Sequence, residues 1–287
     1  MPNAYQKSIH SYSTIVQFVV NLYSLLNKLQ DTETKINFPI SALNTTWPHD
    51  WIQCTSTSSI YAHLTIIYNL ELPIPTELLH KYLHEIDFHF GKFNNYDQQY
   101  DLRFFYCCLS SLKLISLIQP LLLNETNAVI EKHRFMASSY IHSCQSYHGG
   151  YANSVNGIVM EPHAGYTYCA IAALCLLKEA PTNKWKLIKW LVLRQQKDGG
   201  LQGRINKPSD TCYSFWITAS LEMIKGKHYL NLGKLNDFMV GSASALGGFG
   251  KTAAEYPDPL HSYLGTAGYL LSTGNTIIDP VLNVFKK

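Results

Sequence analysis

The sequence predicts an all-α fold of stacked helical hairpins, on three observations. A glycine-aromatic or glycine-aliphatic signature recurs four times, as Gly91 and Phe93 in FGKF, Gly149, Gly150 and Tyr151 in HGGY, Gly199, Gly200 and Leu201 in DGGL, and Gly247, Gly248 and Phe249 in LGGF. The intervals are 58, 50 and 48 residues, the spacing of a repeat built from one supersecondary unit. Each signature follows a helix-like segment such as KWKLIKWLVLRQQKD, and each precedes, after a polar loop, a second apolar segment such as DTCYSFWITASLEMI, PHAGYTYCAIAALCLLK or PLHSYLGTAGYLL. No stretch alternates apolar and polar residues for long, so strand signals are weak throughout.

The first element is the apolar stretch TIVQFVVNLYSLLNKLQ near the N-terminus. No positive region precedes it and no small-residue cleavage site follows, so it reads as a core helix rather than a signal peptide. Gln17, Asn21, Ser24 and Asn27 recur every three to four residues and mark a polar stripe along it. No segment offers the roughly 20 uninterrupted apolar residues of a membrane span. In each later repeat the glycine pair is expected to end one helix in a left-handed conformation and to let the next segment pack closely. A loop with functional residues at the start of each second helix places them all around one rim, which favours a closed barrel over an open solenoid.

With 287 residues, 46% hydrophobic and only 15% charged, the chain can bury a large core as one sizeable domain or two small ones. Its net charge of +3 is too small, and its Lys and Arg too scattered, to suggest a nucleic-acid or lipid-surface partner. The seven cysteines, Cys54, Cys107, Cys108, Cys144, Cys169, Cys175 and Cys212, are odd in number and form no CxxC pair. Most sit inside apolar runs such as RFFYCCLSSL, as reduced buried thiols do, so a cytoplasmic setting is expected.

Chemistry is concentrated in the loops after the second, third and fourth signatures. They hold His163; then Arg204, Lys207, Asp210, Cys212 and Tyr213; then Lys251, Asp258 and His261. Singly, each has an ordinary explanation: a His at a helix start is commonly a capping group, and Asp210 in SDTCYSFW reads as an N-cap. Together they suggest more. Asp210 and Cys212 supply an oxygen and a thiolate two residues apart, and His261 a nitrogen from the equivalent helix start of the next repeat. Such a set suits a tetrahedral zinc with its fourth position open, a catalytic rather than a structural arrangement. Arg204, Lys207 and Lys251, with Tyr213 and His163 as neutral donors, form a cradle for a diphosphate, set against the alternative of a solvated basic rim. Among Tyr106, Tyr166, Tyr168, Phe215 and Trp216, those facing a central cavity would make an apolar wall for a long hydrocarbon chain.

GRINKPSDTCYSFW, GGFGKTAAEYPDPLHSYLGTAG, MEPHAGYTYCAIAALCLL and YDLRFFYCC together resemble the β subunits of protein prenyltransferases, most closely the type I geranylgeranyltransferase, in order from about Asp101 to Leu271. The resemblance implies a single α-α barrel over residues 1–287, with the N-terminal part, about 1–65, shortened. It implies zinc at Asp210, Cys212 and His261, and the isoprenoid diphosphate at His163, Arg204, Lys207 and Tyr213. Lys251, ten residues before His261, falls where farnesyl and Rab-type enzymes carry a magnesium-linked aspartate, so its ammonium would stand in for Mg2+. Arg103 and Tyr106 match positions near the peptide's C-terminal end and the isoprenoid tail; Cys169 and Trp216 match pocket-lining positions. Thr14 falls where a small residue leaves room for the longer isoprenoid.

The implied activity is transfer of geranylgeranyl from geranylgeranyl diphosphate to the cysteine of CaaX-ending small GTPases and similar proteins, by a heterodimer with a prenyltransferase α subunit. Farnesyl transfer by the same chemistry is the first alternative, and Lys251 speaks against it. A terpene cyclase would need an aspartate-rich motif that is not found. A non-catalytic helical scaffold is the third alternative, suggested by the compressed region between Leu29 and Leu64, which lacks the family's first Gly-Phe signature and leaves closure of the barrel open.

Overall fold

The computed structural model of the protein describes residues 9–29, 56–93, 101–155 and 157–286. Among them ten α-helices carry the fold, with strands of only two residues. Six helices form an inner ring: α1 (Ile9–Leu29), α2 (Thr57–Leu70), α4 (Leu102–Ile118), α6 (Ala164–Leu177), α8 (Tyr213–Met223) and α10 (Pro259–Ser272). Each packs on the next, and α1 packs on both α2 and α10, so the ring closes. Outside it lie α3 (Thr76–Gly91) against α2 and α4, α5 (Leu123–Ser143) against α4 and α6, α7 (Lys184–Val192) against α8, and α9 (Leu232–Ser242) against α10. The inner ring of the α-α barrel is therefore closed among the described residues, while much of the region between Leu29 and Leu64, including Cys54, lies outside them.

The inner helices are apolar nearly all round because they are covered on both sides, by outer helices and by one another. In α6 the run from Thr167 to Leu174 is buried without interruption. The outer helices keep one wet face: α3 buries only Leu79, Tyr82, Leu83, Ile86 and Phe90. The polar stripe of α1 takes a different place from that of an ordinary amphipathic helix. Gln17, Asn21 and Ser24 are all buried, because α1 is wedged between α2 and α10. Asn21 Oδ1 accepts from Asn69 Nδ2 at 2.8 Å, and Asn69 Oδ1 in turn accepts from the amide of Phe285 at 3.1 Å. The Asn27 side chain lies outside the described residues.

The glycine signatures do a different job from the one expected. Helices α5, α7 and α9 end in non-left-handed caps at Cys144, Leu193 and Ala243, before the glycines. The glycines then turn a tight hairpin, closed by an isolated bridge each time: Gln145 with Tyr151, Gln195 with Leu201, Ala243 with Phe249. The first glycine of the third signature, Gly199, has φ +89°, and a Cβ there would lie 2.2 Å from the Lys234 carbonyl oxygen of the next outer helix. The second, Gly200, would carry a Cβ 2.7 Å from the Phe238 ring. Close packing of consecutive repeats is thus as expected. The first signature is not this device, since Gly91 closes α3 without positive φ.

A C-terminal hairpin, β3 (Ile278–Asp279) with β4 (Val284–Phe285), completes the described chain; β1 (Ser154–Val155) and β2 (Ile158–Val159) form the only other sheet among the described residues. Its turn ties three inner helices together. Tyr61 of α2 donates to the Leu282 carbonyl at 2.8 Å, Tyr168 of α6 to Val281 at 3.1 Å, and Tyr263 of α10 to Asn283 at 3.1 Å. The six described cysteines are all free, and all but Cys175 are buried.

Candidate functional site

Three inner helices begin at one rim, and their first residues carry the donors singled out above. Asp258 caps α10: its Oδ1 accepts from the His261 amide at 3.0 Å and its Oδ2 lies 2.5 Å from His261 Nδ1. One carboxylate thereby starts the helix and orients the ring, leaving Nε2 directed away. At the start of α8, Asp210 Oδ1 accepts from the Cys212 amide at 2.9 Å, so the side chain folds over its own turn. Cys212 is the N-cap residue and makes no side-chain capping bond; its thiol instead faces the Asp210 carboxylate.

These two helix starts meet. One ligand atom each from Asp210, Cys212 and His261 lie within 4.8 Å of one another, and His261 Nε2 is 3.4 Å from Asp210 Oδ1. Oxygen, sulfur and nitrogen at that separation fit a zinc ion with three protein ligands, and the Asp258–His261 contact is the outer carboxylate that ligating histidines usually have. The electrostatics agree with a cation site. Burial drives the Cys212 thiol pKa well up, and the neighbouring Asp210 carboxylate adds to that. Burial opposes charge on Asp210 and on His261 alike, but the His261 contact and the Cys212 hydrogen bonds outweigh it and lower Asp210, while Asp210 and Asp258 raise His261. Asp210 is thus held as a carboxylate beside the Cys212 sulfur and the His261 ring.

The anion-binding candidates adjoin. His163 caps α6, accepting from the Gly165 amide through Nδ1 at 3.0 Å. That bond fixes the tautomer, since Nδ1 must carry the lone pair. Burial lowers the His163 pKa, Arg204 adds to the effect, and the ring is neutral with its proton on Nε2. Nε2 lies 3.0 Å from the Tyr213 hydroxyl and donates to it, so the phenolic proton is free to point elsewhere. Gly203 makes this possible, because a Cβ on it would lie 2.3 Å from the Tyr213 oxygen. The Gly203 carbonyl accepts from the Ala164 amide at 2.8 Å, which sets the loop bearing Arg204 and Lys207 on the start of α6. Both cationic side chains are exposed at the rim, and Lys251 is half-buried in the next loop.

The remaining expected residues form a second group. Arg103, on α4, is held by Asp101 and lies 5.5 Å from the Tyr166 ring, which in turn contacts His163. Tyr106 is buried, its hydroxyl 2.8 Å from that of Tyr61 and 3.2 Å from that of Tyr168. The Tyr168 ring packs on Trp216 at 4.8 Å, and Cys169 is buried beside it. Thr14 is half-buried on α1. Sequence reasoning named Asp258 in the loop before His261 but gave it no role, and it passed over Glu161. The Asp-x-x-His spacing at a helix start was available as a signal for the first. Glu161, whose Oε2 lies 3.2 Å from Arg204 Nη1, had none.

Comparison with known proteins agrees with this architecture. The family described as "Prenyltransferase alpha-alpha toroid domain" matches residues 1–284. The chain is 36% identical over 185 residues to the geranylgeranyl transferase type-1 subunit beta of Arabidopsis thaliana, covering 60% of this chain and 45% of that protein. It is 41% identical over 160 residues to the Dictyostelium discoideum protein of the same description, covering 53% of this chain and 43% of that one. The chain thus spans under half the length of these curated relatives. Among solved structures, Candida albicans protein geranylgeranyltransferase-I complexed with GGPP is similar in fold, with a TM-score of 0.65 at 22% identity over 100% of this chain and 92% of that chain. With a family match over nearly every residue and a closed ring of inner helices capped outside by a second set, the chain belongs to the prenyltransferase alpha-alpha toroid family.

Proposed function

We propose that this chain is the catalytic β subunit of a zinc-dependent protein geranylgeranyltransferase of type I, working beside an α subunit. The observation that carries the reading is the convergence of Asp210, Cys212 and His261 within 4.8 Å, next to a neutral His163–Tyr213 pair and three loop cations. Similarity to type-1 β subunits supports the choice of isoprenoid.

The reaction forms a bond between a cysteine sulfur and C1 of geranylgeranyl diphosphate, breaks the C1–O bond, and releases diphosphate. A free thiol with a pKa of about 8.5 is mostly protonated at neutral pH. Zinc, when bound by Asp210, Cys212 and His261, supplies a Lewis acid that favours the ionised form of a coordinating substrate thiol. Asp258 keeps His261 in the tautomer that presents Nε2. Charge then develops on the departing diphosphate. Arg204 and Lys207 meet it as cations, and in this reading the Lys251 ammonium takes the role a magnesium ion has elsewhere. Tyr213, whose oxygen accepts the hydrogen bond from His163 Nε2–H, donates its hydroxyl hydrogen bond to a leaving-group oxygen. The His163–Tyr213 pair is held before the reaction by its own hydrogen bond, which is where electrostatic catalysis gains its advantage. The buried tyrosines and Trp216 supply the apolar side.

Co-expression with an α subunit, followed by transfer assays with geranylgeranyl and farnesyl diphosphates on peptides ending in Leu or Met, tests the reading. Geranylgeranyl transfer is expected. Transfer of farnesyl alone would replace the type I assignment, and transfer of neither would favour a scaffold.

A further inference from the structure

Glu161 stands among cations. It precedes the Pro162–His163 turn, is exposed, and pairs through Oε2 with Arg204 Nη1 at 3.2 Å. A second arginine lies beneath the same turn. Arg194, just after α7, is only 5% exposed; its Nε donates to the Trp190 carbonyl at 3.2 Å, its guanidinium lies 4.8 Å from the Trp190 ring, and its Nη1 has no hydrogen-bond partner. The Trp190 ring reaches the turn itself, since a Cβ on Gly150 would meet both that ring, at 2.6 Å, and Pro162 Cβ, at 2.9 Å. The Arg194 carbonyl accepts from the Gln202 amide at 3.0 Å, two residues before Arg204. Both arginines therefore flank the segment that ends in His163.

A buried guanidinium with an unused donor is costly unless something pairs with it. Glu161 adjoins Pro162, which lies near the Trp190 ring that Arg194 covers, and while burial lowers the Arg194 pKa, the Glu161 carboxylate offsets part of that. Meanwhile the pair it makes with Arg204 is exposed on both sides, 44% and 53%, and such pairs are weak and easily exchanged.

We propose that Glu161 is a positioning residue shared by two arginines: it holds Arg204 at the rim while the anion site is empty, and passes to the unpaired donor of buried Arg194 when a diphosphate takes Arg204. The inference rests on the diphosphate reading above. Exchange of partners removes a carboxylate from beside an incoming polyanion and neutralises the buried guanidinium in one movement. Arg194 thus acts on the ligand only through Glu161.

The test is a double-mutant cycle on binding of geranylgeranyl diphosphate to the full chain co-expressed with an α subunit. Arg194→Met should weaken binding about tenfold, because the displaced carboxylate then stays beside the diphosphate. Glu161→Gln should bind as wild type or up to about fivefold tighter. The double variant should return to within about twofold of wild type, a rescue that a packing role for Arg194 cannot produce. Arg194→Lys, which keeps the charge, should also bind within about twofold of wild type and serves as the control if Arg194→Met folds poorly, with Arg194→Gln then taking its place in the cycle. A wild-type protein that binds the diphosphate while the two substitutions simply add overturns this inference alone. A wild-type protein that does not bind it overturns the functional reading and this inference with it.

Discussion

The backbone amide of Thr211 donates to the carbonyl of Lys251 at 3.0 Å. Thr211 lies between Asp210 and Cys212, and its hydroxyl also donates to the Gly250 carbonyl at 2.7 Å, so the Lys251 loop is fastened to the middle of the candidate metal-binding turn. The fastening uses main chain on the lysine side. A lysine substitution can therefore remove the ammonium and leave the loop in place.

Lys251→Ala is accordingly expected to lower the transfer rate about 100-fold while zinc content stays at the wild-type level. Single-turnover rates measured with and without magnesium provide the check. Wild-type transfer should not respond to added magnesium, and a strong response would remove the role given to the ammonium.

Cys212→Ala should purify without zinc, having lost one of three ligands. Asp258→Asn should keep the site but bind zinc about 10–100-fold more weakly, because the amide orients His261 without the carboxylate's charge. Competition with a chromophoric chelator measures both. Equal zinc in wild type and Cys212→Ala would sink the metal assignment.

Two glycines at equivalent places in successive hairpins should differ in their tolerance of alanine. Gly199 and Gly247 both have φ +89°, but a Cβ on Gly199 meets the Lys234 carbonyl at 2.2 Å whereas one on Gly247 meets nothing within 4 Å. Gly247→Ala should cost about 1–2 kcal/mol, the left-handed strain alone. Gly199→Ala should cost more, since the outer helix α9 must shift as well. Urea denaturation of the two variants compares them, and equal losses would contradict the packing described here.

His63, fully buried on α2 with Nδ1 3.1 Å from the Tyr82 hydroxyl, supplies a pH dependence. Burial pushes its pKa down from 6.5 to about 3. The unfolded chain binds the proton more readily, so this contribution is fully present above pH 6.5 and is lost as pH falls from there toward 3. Between pH 7 and pH 5 the loss is about 2 kcal/mol. Unfolding free energies measured at both pH values, for wild type and His63→Gln, should show a smaller difference in the variant; parallel losses would assign the acid sensitivity to other groups.

Much of this was readable along the chain. The spacing of Gly149, Gly199 and Gly247 reports the repeat because each hairpin needs one residue tolerant of positive φ, and that demand falls on residue type. Asp210 and Cys212 were legible as candidate ligands because they are two residues apart on one turn, and His261 because the repeat puts it at the equivalent helix start. The long buried run of α6 likewise follows from composition. Other features needed partners distant in sequence. The polar stripe of Gln17, Asn21 and Ser24 was readable, but nothing local said that Asn69 would come to meet Asn21. Glu161 and Arg204 are 43 positions apart, and Tyr61 and Leu282 are 221 apart.

What the sequence determined by itself was the repeating helical unit, the family to which that unit belongs, and the residue types able to hold a metal and an anion. These follow from periodicity and from the chemistry of single side chains. Only the tertiary structure decided that α1 closes the ring, that its polar stripe is buried, that Asp258 orients His261, and that Glu161 stands between an exposed arginine and a buried one. Burial and pairing arise from where distant segments meet; a side chain's own chemistry limits which bonds it can make without naming the group that will arrive to make them.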